Sequence, residues 1–139
     1  MKLKNNKMKT LIGGQALRNL GSDRYTNDID YLVNDTTTTR AFITSENIDL
    51  INANGNKFFK AIWNIEKGNE VATPQSLLEL KAFAFVQHCQ NFNWAKVDSC
   101  EYDMKFLVRK FNLKSVKIVK DFISTGELSE INKIIKSVK

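Results

Sequence analysis

Histidine and cysteine are scarce in this 139-residue chain: His88 is the only histidine, and Cys89 and Cys100 are the only cysteines. The two thiols lack the spacing of a metal-ligand pair, and one imidazole does not complete a ligand set with them. A zinc site is therefore not expected, and free thiols are favoured over a disulfide. No apolar run approaches the roughly 20 residues that span a bilayer. The basic start, Met1-Lys-Leu-Lys-Asn-Asn-Lys7, lacks the apolar core of a secretory leader, which points to a cytoplasmic protein with no membrane partner. No internal repeat is visible.

What remains is an ordinary globular make-up. With 42% hydrophobic and 26% charged residues, the chain has enough apolar material for one domain spanning residues 1–139. A net charge of +6 suits RNA or another polyanion. A Lys- and Asn-rich composition is equally what a low-GC genome produces.

The densest information lies between Leu11 and Val33. Leu11 and Ile12 read as the end of a short buried strand. Gly13 and Gly14 follow, and without Cβ atoms they let backbone N–H groups approach a ligand closely. Gln15–Leu20 reads as a short helix with Ala16, Leu17 and Leu20 on one side. A helix start just behind paired glycines favours an anion. Gly21 suits the left-handed position that closes such a helix. Asp28–Val33 then reads as a strand in which Ile29, Tyr31 and Val33 alternate with Asp28, Asp30 and Leu32. That alternation puts Asp28 and Asp30 on one face. Two carboxylates so close call for a cation. Mg2+ is a hard ion that takes oxygen ligands and shares its shell with substrate phosphates. Read singly, Gly-Gly is a tight turn and Asp-x-Asp the solvent face of an edge strand; it is their joint occurrence that points to nucleotide chemistry.

Gly13-Gly14, thirteen intervening residues and Asp28-Ile29-Asp30-Tyr31 together resemble the signature of the polymerase-beta-type nucleotidyltransferase superfamily. The longer string Arg24-Tyr25-Thr26-Asn27-Asp28-Ile29-Asp30 resembles its small prokaryotic and phage branch, which includes the AbiEii-like toxin nucleotidyltransferases and the minimal nucleotidyltransferases. The resemblance implies that Gly13 and Gly14 hold the β- and γ-phosphates of an NTP. It implies that Arg24 and Thr26 belong to the nucleotide site, and that Asp28 and Asp30 ligate Mg2+ in a two-ion centre. It also implies a third carboxylate on a strand beside the Asp-x-Asp strand. Asp49, in the strand-like run Ile48-Asp49-Leu50-Ile51, is the candidate for catalysis and metal binding. The alternative is a strand-end Asp bonded to local backbone, and Asp35 and Glu46 lie close in sequence.

Along the rest of the chain, Asn34–Thr39 reads as a solvent-exposed loop tip, Ala41–Thr44 as a short strand and Asn52–Asn56 as a turn. Phe58–Ile65 fits both the strand and the helix period. At Thr73 the chain turns helical, with Thr73 as N-cap and Pro74, the only proline, at the first helical position. Leu77, Leu80, Lys81, Ala84 and Phe85 mark one face of a helix to about His88. The segment Ala72–Ala84 resembles an AbiEii-like pattern whose helix lysine lies near the nucleotide, which assigns Lys81 to the nucleotide site. A snorkelling lysine is the alternative, and Asp103 is placed to pair with it across the helices. Asn91–Lys96 reads as a linker and Asp98 as an N-cap. Lys96, Asp98 and Asp103 resemble the family's Lys-Asp-x-x-Asp segment only with inserted residues. Ser115–Thr125 and Leu128–Lys136 read as two basic amphipathic helices split at Gly126.

The expected fold is α+β: a small mixed sheet with helices over about residues 10–70, and a C-terminal helical bundle over about 73–139 that covers the cleft. The function implied is metal-dependent transfer of a nucleoside monophosphate from NTP to a hydroxyl. RNA (tRNA above all) suits the charge as acceptor, and a partner protein, as in toxin–antitoxin pairs, suits the size; a small molecule such as an aminoglycoside is a third option. The alternative is an inactive nucleotidyltransferase fold, perhaps phage-encoded, used as a binding module.

Overall fold

Thr10–Ile12 forms strand β1 and leads without a break into helix α1, Gly13–Asn19. These coordinates are a computed structural model that describes residues 8–138, so the basic start at residues 1–7 lies outside the described residues. The chain divides into two compact units, Met1–Thr73 and Pro74–Lys139. The change to helical patterning at Thr73 marks the same boundary.

The first unit holds a four-stranded mixed sheet in the order β1-β2-β4-β3, with β2 at Ile29–Val33, β3 at Phe42–Ser45 and β4 at Ile48–Asn52. β1 runs antiparallel to β2, β2 parallel to β4, and β3 antiparallel to β4. Leu11, on the outer edge of β1, accepts from the Ala72 N–H and donates to the Glu70 carbonyl, so residues 70–72 cover that edge. Residues in register across a sheet share a face. One row is therefore Thr10, Leu32, Ile51 and Phe42, and the next along the same face is Ile12, Asp30, Asp49 and Thr44. Helix α2, Lys57–Glu66, packs on this face: the Phe59 ring meets Phe42 edge to face at 5.7 Å, and Leu32, Phe58 and Ile62 are fully buried.

The ambiguous segment 58–65 is thus a helix. Its start is fixed by Asn56, whose side chain accepts from the Phe58 and Phe59 N–H groups, and Phe58, Phe59, Ile62 and Trp63 form its buried stripe. The Thr-rich loop tip is tied down more than its composition suggests. Buried Asn52 accepts from the Asp35 N–H at 2.8 Å and donates to the Asp35, Thr38 and Arg40 carbonyls. A Cβ on Gly55 would stand 2.5 Å from the Thr39 carbonyl oxygen, so this crossing requires glycine.

The second unit is helical: α3 at Pro74–Gln90, α4 at Trp94–Phe111 and α5 at Thr125–Lys136. Pro74 opens α3 as expected, while the Thr73 hydroxyl donates to buried Glu66 at 2.6 Å. The buried side of α3 is broader than the expected stripe and includes Leu78, Glu79, Ala82 and Val86, with Leu80 and Ala84 only half-buried. Three expectations are corrected here. The linker is only Asn91–Asn93, because Asn93 caps α4 by accepting from the Lys96 N–H; Asp98 lies exposed inside the helix. Residues 115–125 are not a helix but an irregular run with a single turn at Val119–Asp121. Gly126 does not split two helices; it sits in the first turn of α5, which Ser124 and Glu127 start with a reciprocal capping box. Fully buried Glu79 explains the irregular run. Its carboxylate accepts from the Lys117, Ile118 and Val119 N–H groups at 2.6, 3.1 and 2.8 Å and from the Gln75 amide at 3.0 Å. A buried anion thus takes up backbone donors that a helix leaves unmatched at its start.

Candidate active site

The sheet register brings two of the three acidic candidates together. Asp30 of β2 and Asp49 of β4 are direct partners on parallel strands, Asp30↔Asp49. Side chains at directly opposed positions stand on the same face about 5 Å apart at Cβ, so the two carboxylates are neighbours. Both are half-buried, on the sheet face that α2 covers further along.

Asp28 stands differently from the expectation. β2 begins at Ile29, whose N–H bonds to the Asn47 carbonyl at 2.9 Å. Asp28 precedes the strand, exposed, in the irregular segment 22–28, so strand alternation does not fix its direction. Among the described residues, no group of three or more His, Cys, Asp or Glu side chains is gathered closely enough to hold a metal ion. The donor set that is present, two adjacent carboxylates, is one that suits Mg2+. That ion is commonly held by one or two carboxylates and completed by water and substrate phosphates.

The glycine pair is explained by what fills the room it leaves. Gly13 adopts φ +73, where a side chain is strained, and a Cβ there would collide with the Asp30 carboxylate, 3.0 Å from its Cγ. A Cβ on Gly14 would lie 2.6 Å from Thr26 Cγ2 and 3.0 Å from Thr26 Cβ. The freed space thus serves packing: Gly13 admits Asp30, and Gly14 admits Thr26. Gly21, at φ +110, closes α1 with its N–H on the Arg18 carbonyl. Gln15 and Arg18 then staple the following loop to α1, donating to the Thr26 and Arg24 carbonyls at 3.2 Å each. The result is one assembly in which the helix, the Arg24–Thr26 loop and the Asp30 carboxylate are mutually positioned.

Lys81 lies in the second unit. Its ammonium is 2.9 Å from the Asp103 carboxylate, and Asp103 is almost fully buried. The charge for which the sequence offered a triphosphate, snorkelling or Asp103 is therefore met by Asp103. Asp35 turns back on its own loop, accepting from the Thr37 N–H and hydroxyl, which hold its carboxyl below the usual range. Asp35 and Glu46 are not in register with Asp30. Cys89 and Cys100 are free thiols.

The placement of Asp49 on a strand beside Asp30, implied by the resemblance, is what the register has. The Gly14–Thr26 contact escaped the sequence reading; its only signal is that a β-branched residue follows a glycine pair across a short loop. No known protein family, characterised protein or solved structure matches this chain.

Proposed function

We propose that the chain is a nucleotidyltransferase that moves a nucleoside monophosphate from NTP to a hydroxyl acceptor. The observation that carries this reading is the Asp30↔Asp49 pairing beside a glycine turn shaped to the Asp30 carboxylate. Two acids held side by side at the mouth of a sheet, next to a turn whose sequence resembles a phosphate-holding signature, are an economical arrangement for phosphoryl chemistry.

Asp30 and Asp49 would hold Mg2+, with Asp28 joining from the segment before β2. That ion would neutralise triphosphate charge and stabilise the oxygens of an in-line displacement. The chain's own part is mainly positioning. The backbone at Gly13 and Gly14 would fix the β- and γ-phosphates, with Arg24 and Thr26 flanking them. Asp49 would assist the loss of the acceptor's proton as its oxygen bonds to the α-phosphorus and the bond to pyrophosphate breaks. RNA or a partner protein is the acceptor class that fits the chain's charge and size.

The test is incubation with each α-labelled NTP, Mg2+ and a cell extract. Label should move onto a single class of macromolecule, and Asp30→Asn should abolish the transfer. Label that stays in NTP under every condition would leave the fold as a binding module.

A further inference from the structure

The turn between α3 and α4 has a conformation that its sequence does not favour. Phe92 sits at φ +57, in the left-handed region where glycine or asparagine is comfortable and a bulky side chain is an outlier. Asparagines flank it on both sides, yet the aromatic residue occupies the strained position. The turn is held by backbone bonds from the Phe92 N–H to the Cys89 carbonyl and from the Asn93 N–H to the His88 carbonyl. Its ring is 74% exposed, and that of Trp94, the first residue of α4, is 58% exposed. The rings meet edge to face with centroids 6.1 Å apart and planes at 66°. Two large apolar rings are thus braced against each other in water. The left-handed residue closes α3, as helix ends commonly do, but with an aromatic ring in the place glycine or asparagine usually takes.

The surrounding charge narrows the ligand. Lys96 follows on the first turn of α4, and among the described residues it has no ion pair. Burial first, and then the positive charges of Lys96 and Lys81, lower the His88 pKa. The nearby acids are engaged: Glu127 in its capping box and with Gln90, and Glu130 with Lys133 at 3.3 Å. Only Asp98, one turn along α4, stands as an exposed counter-charge. Aromatic faces beside a cation are what binds unpaired bases with their phosphates, largely without regard to sequence.

We propose that Phe92 and Trp94 form a stacking platform for unpaired bases of single-stranded RNA, with Lys96 meeting a phosphate. This is independent of the nucleotidyl-transfer reading. The other tryptophan, Trp63, is 5% exposed, so intrinsic fluorescence changes report Trp94. The experiment is a titration of the full chain with a 12-nucleotide oligoadenylate in 50 mM and 200 mM NaCl, read by that emission. Expected are saturable quenching, weaker affinity at the higher salt, and a loss of about tenfold or more in Phe92→Gly. Lys96→Glu should weaken binding and flatten its salt dependence. Phe92→Gly should melt no lower than the parent, because glycine is at ease at this φ, which separates binding from folding. Absence of quenching, or affinity unchanged in Phe92→Gly, overturns the proposal. So does a blue shift with vesicles of phosphatidylcholine and phosphatidylglycerol (3:1) in place of any RNA response, which would make the tip a membrane anchor.

Discussion

Gly14→Ala is the substitution whose outcome the structure changes most. On the sequence alone, Gly14 serves a ligand, and a side chain there should harm nucleotide binding while sparing the fold. The structure places the new Cβ 2.6 Å from Thr26 Cγ2 and 3.0 Å from Thr26 Cβ, closer than packed carbons approach. Overpacking of this kind typically costs about 1–3 kcal/mol. Against it stands the gain from replacing a helical glycine by alanine, at most about 1 kcal/mol. The net expectation is a loss of about 1–2 kcal/mol, or roughly 4–8 °C in Tm for a chain of this size. Thr26→Gly removes the obstructing atoms. In that background the same Gly14→Ala change should be neutral or stabilising, giving a coupling energy of about 1–3 kcal/mol in a double-mutant cycle. Urea unfolding of the four proteins measures it. Equal destabilisation in both backgrounds would refute the contact.

Three further outcomes follow from named contacts. Glu79→Ala strands the Lys117, Ile118 and Val119 N–H groups in the interior; at about 1–3 kcal/mol for each unpaired donor, it should be among the most destabilising single changes, and Glu79→Gln should cost less by urea unfolding. The Glu127 carboxyl lies below its ordinary value near 4.5 chiefly because the Ser124 N–H bonds to it, with Gln90 adding to this. Its contribution is therefore present above that ordinary value and lost as pH falls through the depressed one; the stability gap between the parent and Glu127→Ala should be constant near neutrality and close below about pH 4.5, read from Tm against pH. Asp49→Asn should weaken Mg2+-dependent NTP binding and slow transfer on the order of a hundredfold, about 3 kcal/mol of barrier; affinity and rate both unchanged would remove Asp49 from the site.

How much of this was legible in the sequence depends on the range of the interaction. The α+β class, strands at 11–12, 41–44 and 48–51 and the helix start at Pro74 follow from local pattern, and the structure has them with strand ends shifted by a residue. Segment 58–65 fits both periods because Phe59, Ala61, Trp63 and Ile65 alternate while Phe58, Phe59, Ile62 and Trp63 make a helical stripe; the Asn56 cap decides for helix. The expected helix at 115–125 is an irregular run whose N–H groups at 117–119 are met by Glu79, some 40 residues earlier, a contact no local pattern carries. Asp98 looked like an N-cap because Asp commonly is one, but Asn93, five residues earlier, already starts the helix. At the candidate site, the acids and glycines were visible as residue types. The resemblance also placed Asp49 on the strand beside Asp30, which the parallel register has; what local pattern could not give is where the strand begins, and that start leaves Asp28 outside it.

The central claim is that the Asp30/Asp49 pair binds a metal–nucleotide complex. Calorimetric titration of each NTP into the chain, in Mg2+ and again in EDTA, tests it most directly, with Asp30→Asn as the control. The account predicts saturable binding in Mg2+ that disappears both in EDTA and in Asp30→Asn, the variant melting near the parent temperature. Equal affinity in the two buffers, or full Mg2+-dependent binding by Asp30→Asn, would contradict it.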